Sequence, residues 1–214
     1  MTLEIKNGTM HADGRLLFNN LNFSVSNGEI VCIQGAHGGG KTMLLRALMG
    51  LEPLSEGFIN IDGELLNPQS AQPFRRLMAY VPQHTQLPAP TMNLLLGELT
   101  ALRANRDTRA ATPNPQRQET LMQLMGLPPA LADKPVAELN AGQAYRMMVV
   151  VAAMMNKQIL LIDEPAAPLD SAAAQRVDSF LHEMASVGTA IVAVSQDQLF
   201  ADSCNHTVVL SVQP

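Results

Sequence analysis

The stretch Gly35-Ala36-His37-Gly38-Gly39-Gly40-Lys41-Thr42 limits what this chain can fold into more than any other. It fits the pattern G-x-x-x-x-G-K-[ST], and its flanks are the ones the pattern needs. Glu29–Gln34 reads as a buried strand, and Lys41–Met49 as a helix stopped by Gly50. Glycines let successive backbone N–H groups wrap an anion, and the helix N-terminus adds partial positive charge. In such a cradle the Lys41 ammonium reaches the β- and γ-phosphates of a nucleoside triphosphate, and the Thr42 hydroxyl is placed on Mg2+.

A cradle of this kind needs an acid from a distant strand. Ile159-Leu160-Leu161-Ile162-Asp163-Glu164-Pro165 supplies one: an apolar run ending in two carboxylates. Asp163 is expected to hold Mg2+ and Glu164 to polarise the attacking water. Standing alone, the stretch would read as a strand that ends in a solvated turn.

The remaining pattern fits an α/β chain. Leu3-Glu4-Ile5 and Leu21–Val25 alternate apolar and polar residues, Asn27-Gly28 marks a turn, and Phe58–Ile61 and Met78–Val81 are short strands. From about Thr91 to Met155 leucine and methionine recur at helical spacing, interrupted by the polar stretch Ala111–Gln116. Strand patterns return at Gln158–Ile162, Ala190–Val194 and Thr207–Leu210, with a helix over Asp170–Ser186. Strand–helix–strand alternation implies a parallel sheet with helices on its faces. One domain over 1–214 is expected, with its core in 1–84 and 157–214 and a helical lobe inserted over about 85–156.

Composition narrows the function classes. A hydrophobic fraction of 47% in 214 residues provides a sizeable core and excludes wholesale disorder. The net charge is −5, from 14 basic and 19 acidic residues, and no basic block occurs. This argues against nonspecific nucleic-acid binding, which rests on phosphate neutralisation. Charged residues are 15% of the chain, against about 25% in an average soluble domain, as a surface covered by a partner would be. The longest apolar run, Met147–Met155, is nine residues, whereas a membrane span needs roughly 18–20. With no signal-peptide pattern at the N-terminus, the chain reads as cytoplasmic. Two cysteines, Cys32 and Cys204, make neither a disulfide framework nor a zinc cage. Cys204 with His206 reads as a terminal-strand cysteine and a surface histidine. Met147, Met148, Met154 and Met155 read as core filling, and His84 and His182 as surface residues.

Three further segments carry a family resemblance. Leu139-Asn140-Ala141-Gly142-Gln143-Ala144-Tyr145-Arg146 resembles the signature motif of ATP-binding-cassette ATPases, whose usual form is L-S-G-G-Q-x-Q-R. Tyr80-Val81-Pro82-Gln83 resembles their glutamine loop, and Pro168-Leu169-Asp170 their aspartate loop. The resemblance is collinear from about Leu3 to Leu210. It implies a P-loop nucleoside triphosphate hydrolase fold: a mostly parallel sheet core, an antiparallel β subdomain and an inserted helical lobe. It also implies a head-to-tail homodimer, or a pseudo-dimer with a second ATPase subunit. Each ATP would then lie between Gly35–Thr42 of one subunit and Asn140, Ala141, Gly142 and Gln143 of the other, with Asp170 nearby. Gln83 would sense Mg2+ and the attacking water, and Glu164 would act as general base. A groove at roughly Gln83–Leu96 would receive a cytoplasmic helix of a transmembrane permease subunit, placing the chain on the inner face of the cell membrane. The run His84–Thr91 reads equally as a mobile hinge or a surface loop.

Several positions depart from the family pattern. His37 and Asn140 replace serines, and Ala141 replaces a glycine, which restricts φ and adds bulk. Ala166 and Ala167 stand where small hydroxyl residues are common. Gln196 stands where a histidine usually bonds the γ-phosphate. Around Met10–Arg15 there is no Phe, Tyr or Trp to stack on adenine, only His11. The expected function is ATP hydrolysis that powers a membrane transporter, slowed by Gln196. The alternative is an ATP-binding regulatory module that hydrolyses slowly or not at all. A cassette acting on ribosomes or DNA would need two cassettes or long coiled-coil insertions, and a small-molecule kinase would leave Leu139–Arg146 unexplained.

Overall fold

The computed structural model describes residues 1–84, 89–102 and 114–211. Its first layer is an antiparallel sheet. Strands β1 (Thr2–Ala12) and β2 (Arg15–Ser26) form a long hairpin that turns at Asp13-Gly14, both at positive φ. With β4 (Glu56–Ile61) and β5 (Glu64–Leu65) the order is β2-β1-β4-β5. The hairpin is much longer than the two short patterns in the sequence suggest. Its register shifts between Ile5 and Gly8 and again on both sides of Met10. Each irregularity resets the apolar–polar alternation, so a period-two reading loses the strand there.

The second layer is a parallel sheet of β3 (Ile30–Gln34), β6 (Met78–Val81), β7 (Ile159–Asp163), β8 (Ala190–Val194) and β9 (His206–Val209), in the order β6-β7-β8-β3-β9. Every pairing in it is parallel. The two modes of pairing expected from sequence therefore segregate into two sheets. β3, β7 and β8 are apolar almost throughout because both of their faces are covered. Val31, Ile33, Leu161, Val192 and Val194 pack with the antiparallel sheet and with Leu44, Leu45 and Leu48 of α1 (Lys41–Leu48). Cys32, Leu160, Ile162, Ile191 and Ala193 face the opposite cluster, which is built by α5 (Ala141–Met154), α6 (Ser171–Ser186) and the helices before them.

Between β5 and β7 lie α2 (Ala71–Arg76), β6, α3 (Met92–Ala101), α4 (Pro115–Leu124), two short 3-10 turns and α5. Thr91 caps α3 and Asn114 caps α4, each accepting an N–H of the first turn through its side chain. The Arg146 guanidinium ties α5 to the end of α4, donating to the Met125 carbonyl at 2.7 Å. Helix α7 (Gln198–Ser203) leads into β9. Parts of the stretches His84–Thr91 and Ala111–Gln116 lie outside the described residues.

The methionines fill core space. Met147 and Met125 are fully buried, Met122 nearly so, and Met154 and Met155 are buried as well. Met147→Ala should therefore destabilise the fold by about 2–5 kcal/mol, whereas Met147→Leu, which keeps volume, should cost less than about 1.5 kcal/mol. Urea denaturation of the two variants checks this; equal losses would mean that the thioether itself matters.

Candidate functional site

The loop after β3 is shaped by its glycines. Gly40 is the N-cap of α1 at φ 87, and a Cβ there would lie 2.9 Å from the Leu17 Cβ. Both the left-handed backbone and the close approach of the hairpin require glycine. Its side-chain hydrogen leaves α1 without a side-chain cap, and no acidic residue occupies the first turn. Among the described helices of eight residues or more, α1 alone has this uncapped start. The partial positive charge of its N-terminus is therefore left for an anion. Lys41 is 7% exposed, and its ammonium donates to the carbonyls of Gly35 at 2.8 Å and Ala36 at 3.2 Å.

Two carboxylates close the other side. Asp163, at the end of β7, accepts from the Thr42 hydroxyl at 2.8 Å, and its backbone carbonyl accepts from the buried Tyr145 hydroxyl at 3.1 Å. Glu164 adopts left-handed backbone at φ 50, although it is not glycine. Such a conformation costs of order 1–3 kcal/mol and persists only when its surroundings dictate it. Here they do: the Glu164 N–H donates to the Val194 carbonyl at 2.8 Å, while its carboxylate accepts from the Gln196 N–H at 3.1 Å and from Gln196 Nε2 at 3.2 Å. The Lys41 ammonium lies 3.6 Å from the same carboxylate.

Burial is the main influence on the titration of Asp163 and of the two tyrosines near it. It pushes the Asp163 carboxyl above the usual range, an effect only partly offset by the Thr42 hydrogen bond and added to by the neighbouring Glu164 charge. Tyr80, facing Asp163, is pushed up to about 12 by burial and by that carboxylate. Burial raises Tyr145 well above its ordinary value, again with Asp163 contributing.

These groups line one cavity of about 350 Å3 that contains His37, Gly38, Gly39, Gly40, Lys41, Thr42, Gln83, Asp163, Glu164 and Gln196. Ala12, Asp13, Leu17 and Met43 complete the lining, which includes no Phe, Tyr or Trp. Gly35 and Ala36 take part through the carbonyls that hold Lys41. Tyr80 and Tyr145 have no counterpart among the sequence-derived candidates. For Tyr80 the available signal was a hydroxyl-bearing ring within the otherwise apolar strand Met78–Val81; Tyr145, between Gln143 and Arg146, offered none.

Asn140, Ala141, Gly142, Gln143 and Asp170 stand apart from this cavity. Asn140 caps α5 through its carboxamide oxygen, taking the Gln143 N–H at 2.8 Å, and the Gln143 side chain accepts from the Asn140 N–H at 3.1 Å. Ala141 is the first residue of α5, where helical backbone suits alanine, so the conformational penalty expected from the lost glycine does not arise. Gly142 does need its missing side chain: a Cβ would sit 3.1 Å from the Pro168 carbonyl. Asp170 caps α6 by accepting from the Ala173 N–H at 2.8 Å. Two helix N-termini thus meet at the Pro168–Asp170 turn. His182 lies 3.7 Å from Asp178, and His206 lies 4.0 Å from Glu29.

The family described as ABC transporter matches residues 18–167. The chain is 32% identical over 199 residues to the ATP-binding protein FbpC of Fe(3+) ion import from Streptomyces avermitilis, covering 92% of this chain and 56% of that one. It therefore spans little more than half the length of that relative. It is also 32% identical over 205 residues to the cytochrome c biogenesis ATP-binding export protein CcmA of Vibrio parahaemolyticus, covering 94% of this chain and 95% of the relative. Among solved structures, a dimeric ATP-binding cassette in a post-hydrolysis state bound to ADP and Pi superposes with a TM-score of 0.84 at 23% identity, over 98% of this chain and 94% of that one. The ATP-binding subunit of an ABC transporter superposes with a TM-score of 0.83 at 24% identity, covering 98% and 86%.

A carboxyl raised by burial opposes folding once it is ionised, so its favourable contribution is lost as the pH rises through its folded-state range. Asp163→Asn removes that charge and its repulsion with Glu164 while keeping an oxygen for Thr42. At neutral pH, without nucleotide and with chelator present, the variant should melt about 2–4 °C above the wild type, equivalent to about 1 kcal/mol for a chain of this size. A thermal-shift titration checks this; a lower melting temperature would mean that the ionised carboxylate supports the fold.

Proposed function

Since the chain belongs to the ABC transporter family, we propose that it is an ATP-binding and ATP-hydrolysing subunit that powers a membrane transporter through nucleotide-driven dimerisation. The observation that carries this reading is the convergence, in one cavity, of an uncapped helix N-terminus, a buried ammonium and two buried carboxylates. Triphosphate oxygens would be bound by the backbone N–H groups of His37–Thr42 and by Lys41, which would turn from loop carbonyls to the β- and γ-phosphates. Glu164 would orient the attacking water and accept its proton as ATP and water become ADP and phosphate. Ala12, Asp13, Leu17 and Met43 would meet the base without stacking.

Thr42, Asp163 and Gln83 would hold Mg2+. A hydroxyl, a carboxylate and an amide oxygen suit this hard cation, and Asp163 is a buried anion short of positive charge. The bound ion would neutralise charge on the β- and γ-phosphates.

Asn140–Gln143 and Asp170 would act on the nucleotide of a second subunit, since they stand away from the cavity of their own chain. The Asn140 oxygen already serves α5, so its NH2 would be the end that meets phosphate. The domain division proposed is a core of 1–84 and 157–214 with a helical lobe over about 85–156. No helix among the described residues is long and apolar enough to cross a membrane, so attachment to the inner face of the membrane would come through a permease subunit. The groove expected over roughly 83–96 would receive its short helix; a cleft of about 380 Å3 lined by Tyr80, Leu99, Leu102 and Met148, outside that range, is the second candidate.

Gln196 sets the proposed rate. Its amide is spent on Glu164, where the family's histidine addresses the γ-phosphate, so turnover is slow. Retention of Lys41, Thr42, Gln83, Asp163 and Glu164 favours hydrolysis over a purely regulatory module.

Glu164→Gln tests the whole reading. The variant should bind ATP without hydrolysing it, and light scattering should give twice 23.1 kDa with ATP and a monomer without it. A monomer at saturating ATP would overturn nucleotide-driven dimerisation of the isolated chain. Position 196 is tested by steady-state phosphate release. Gln196→His should accelerate turnover about ten- to a hundredfold, the worth of one good transition-state hydrogen bond, with little change in ATP affinity. If Gln196→Ala matches the wild type and histidine brings no gain, the residue lies outside the chemistry.

A further inference from the structure

Cys32 and Cys204 are the only cysteines of the chain, far apart in sequence and brought together by the fold. Cys32 lies within β3, fully buried, in the same apolar cluster as Phe200 and Ala201 of α7. Cys204 closes α7 and packs on that cluster while staying partly exposed. The backbones are locked side by side. The Asn205 N–H donates to the Ile30 carbonyl at 3.0 Å, and the Ile30 N–H donates to Asn205 Oδ1 at 2.8 Å. Beyond that point β9 runs parallel to β3, with Thr207 opposite Cys32.

The Cys204 thiol donates to the Phe200 carbonyl at 3.2 Å, and Phe200 belongs to the buried cluster that holds Cys32, so the two thiols share one apolar environment and act on each other. The pair is asymmetric in access: Cys32 is fully buried, and the neighbouring sulfur with burial pushes its thiol up, whereas Cys204 is partly exposed. Cys204, which a peroxide can reach, is the nucleophile.

We propose that Cys32 and Cys204 form a reversible oxidation site, a dithiol that closes to an intramolecular disulfide when the protein meets a peroxide. The Cys204 thiolate attacks one peroxide oxygen, the O–O bond breaks, and the hydroxide released takes up a proton to leave as water. The sulfenic acid on Cys204 is then attacked by the Cys32 sulfur. The S–S bond forms, the S–O bond breaks, and the hydroxyl leaves as a second water with the Cys32 proton. Two thiols are oxidised and one peroxide is reduced; a small dithiol reverses the change. A disulfide spans Cα atoms about 4.4–6.8 Å apart; Cys204 precedes by three residues the Thr207 that lies opposite Cys32, so closure draws the end of α7 toward β3. The bond would join the strand that delivers Gly35 to the helix that follows Gln196, fastening the two sides of the cavity to each other.

The test uses the full chain, hydrogen peroxide, and alkylation under denaturing conditions read by intact mass. Before treatment two alkyl groups are expected. Afterwards none are expected, with a mass two hydrogens lower, a monomeric species on a non-reducing gel, and full reversal by dithiothreitol. In Cys32→Ser the disulfide cannot form, and Cys204 should instead be trapped as a sulfenic acid by dimedone; in Cys204→Ser the buried Cys32 should stay alkylatable. Two alkylatable thiols after peroxide, a bond formed only between chains, or a Cys32→Ser variant that takes up no dimedone would each overturn the proposal. None of these outcomes depends on ATP hydrolysis, so failure here and failure of the ATPase reading are distinguishable.

Discussion

Placing an ammonium and two adjacent carboxylates at the end of an apolar sheet, nearly out of reach of water, is the demand that the rest of this structure answers. Lys41, Asp163 and Glu164 are 7%, 2% and 6% exposed. Buried charge is costly unless it is paired and hydrogen-bonded, and here the partners come from different parts of the chain. Thr42 on α1 serves the Asp163 carboxylate, the segment after β8 serves Glu164, and the loop after β3 holds Lys41 through its carbonyls. Tyr145 on α5 fixes the backbone between the acids. Displacing any of these elements would leave a charge without its partners, so the fold and the site are specified together.

The helix ends show the same economy of groups in reverse. α3, α4, α5, α6 and α7 each begin with a side chain that satisfies a first-turn N–H, as helices that bind nothing at that end generally do. α1 begins with glycine and nothing else. The six-residue α2 also lacks a side-chain cap, so it is the missing cap together with the glycine loop and Lys41 that sets the start of α1 apart. The contrast also explains why Asn140 and Asp170, prominent in the family motifs, first present themselves as caps in a single chain.

Much of this was legible in the sequence because it depends on short-range pattern. The cradle, the apolar run ending in Asp163-Glu164 and the strand–helix alternation are local signals, and each lies where it was read. The length of the first hairpin was hidden, because its bulges at Gly8 and Met10 break the alternation on which a strand is recognised. The Gln196–Glu164 contact joins residues at the ends of separate strands, and the Tyr145 hydroxyl reaches across from α5 to β7, so neither has a spacing to reveal it. At Ala141 the restricted φ carries no penalty, because the residue lies in the first turn of α5; the effect of its added bulk belongs to an interface that a single chain does not display.

Glu164 sits in a backbone conformation that suits glycine, asparagine and aspartate better than glutamate. Substitution by glycine or asparagine can therefore relax the backbone while removing the carboxylate proposed to orient the attacking water. Stability and chemistry pull in opposite directions at a single residue. On the proposed reading, the strain at Glu164 is what holding a carboxylate at this point of the cavity costs the fold.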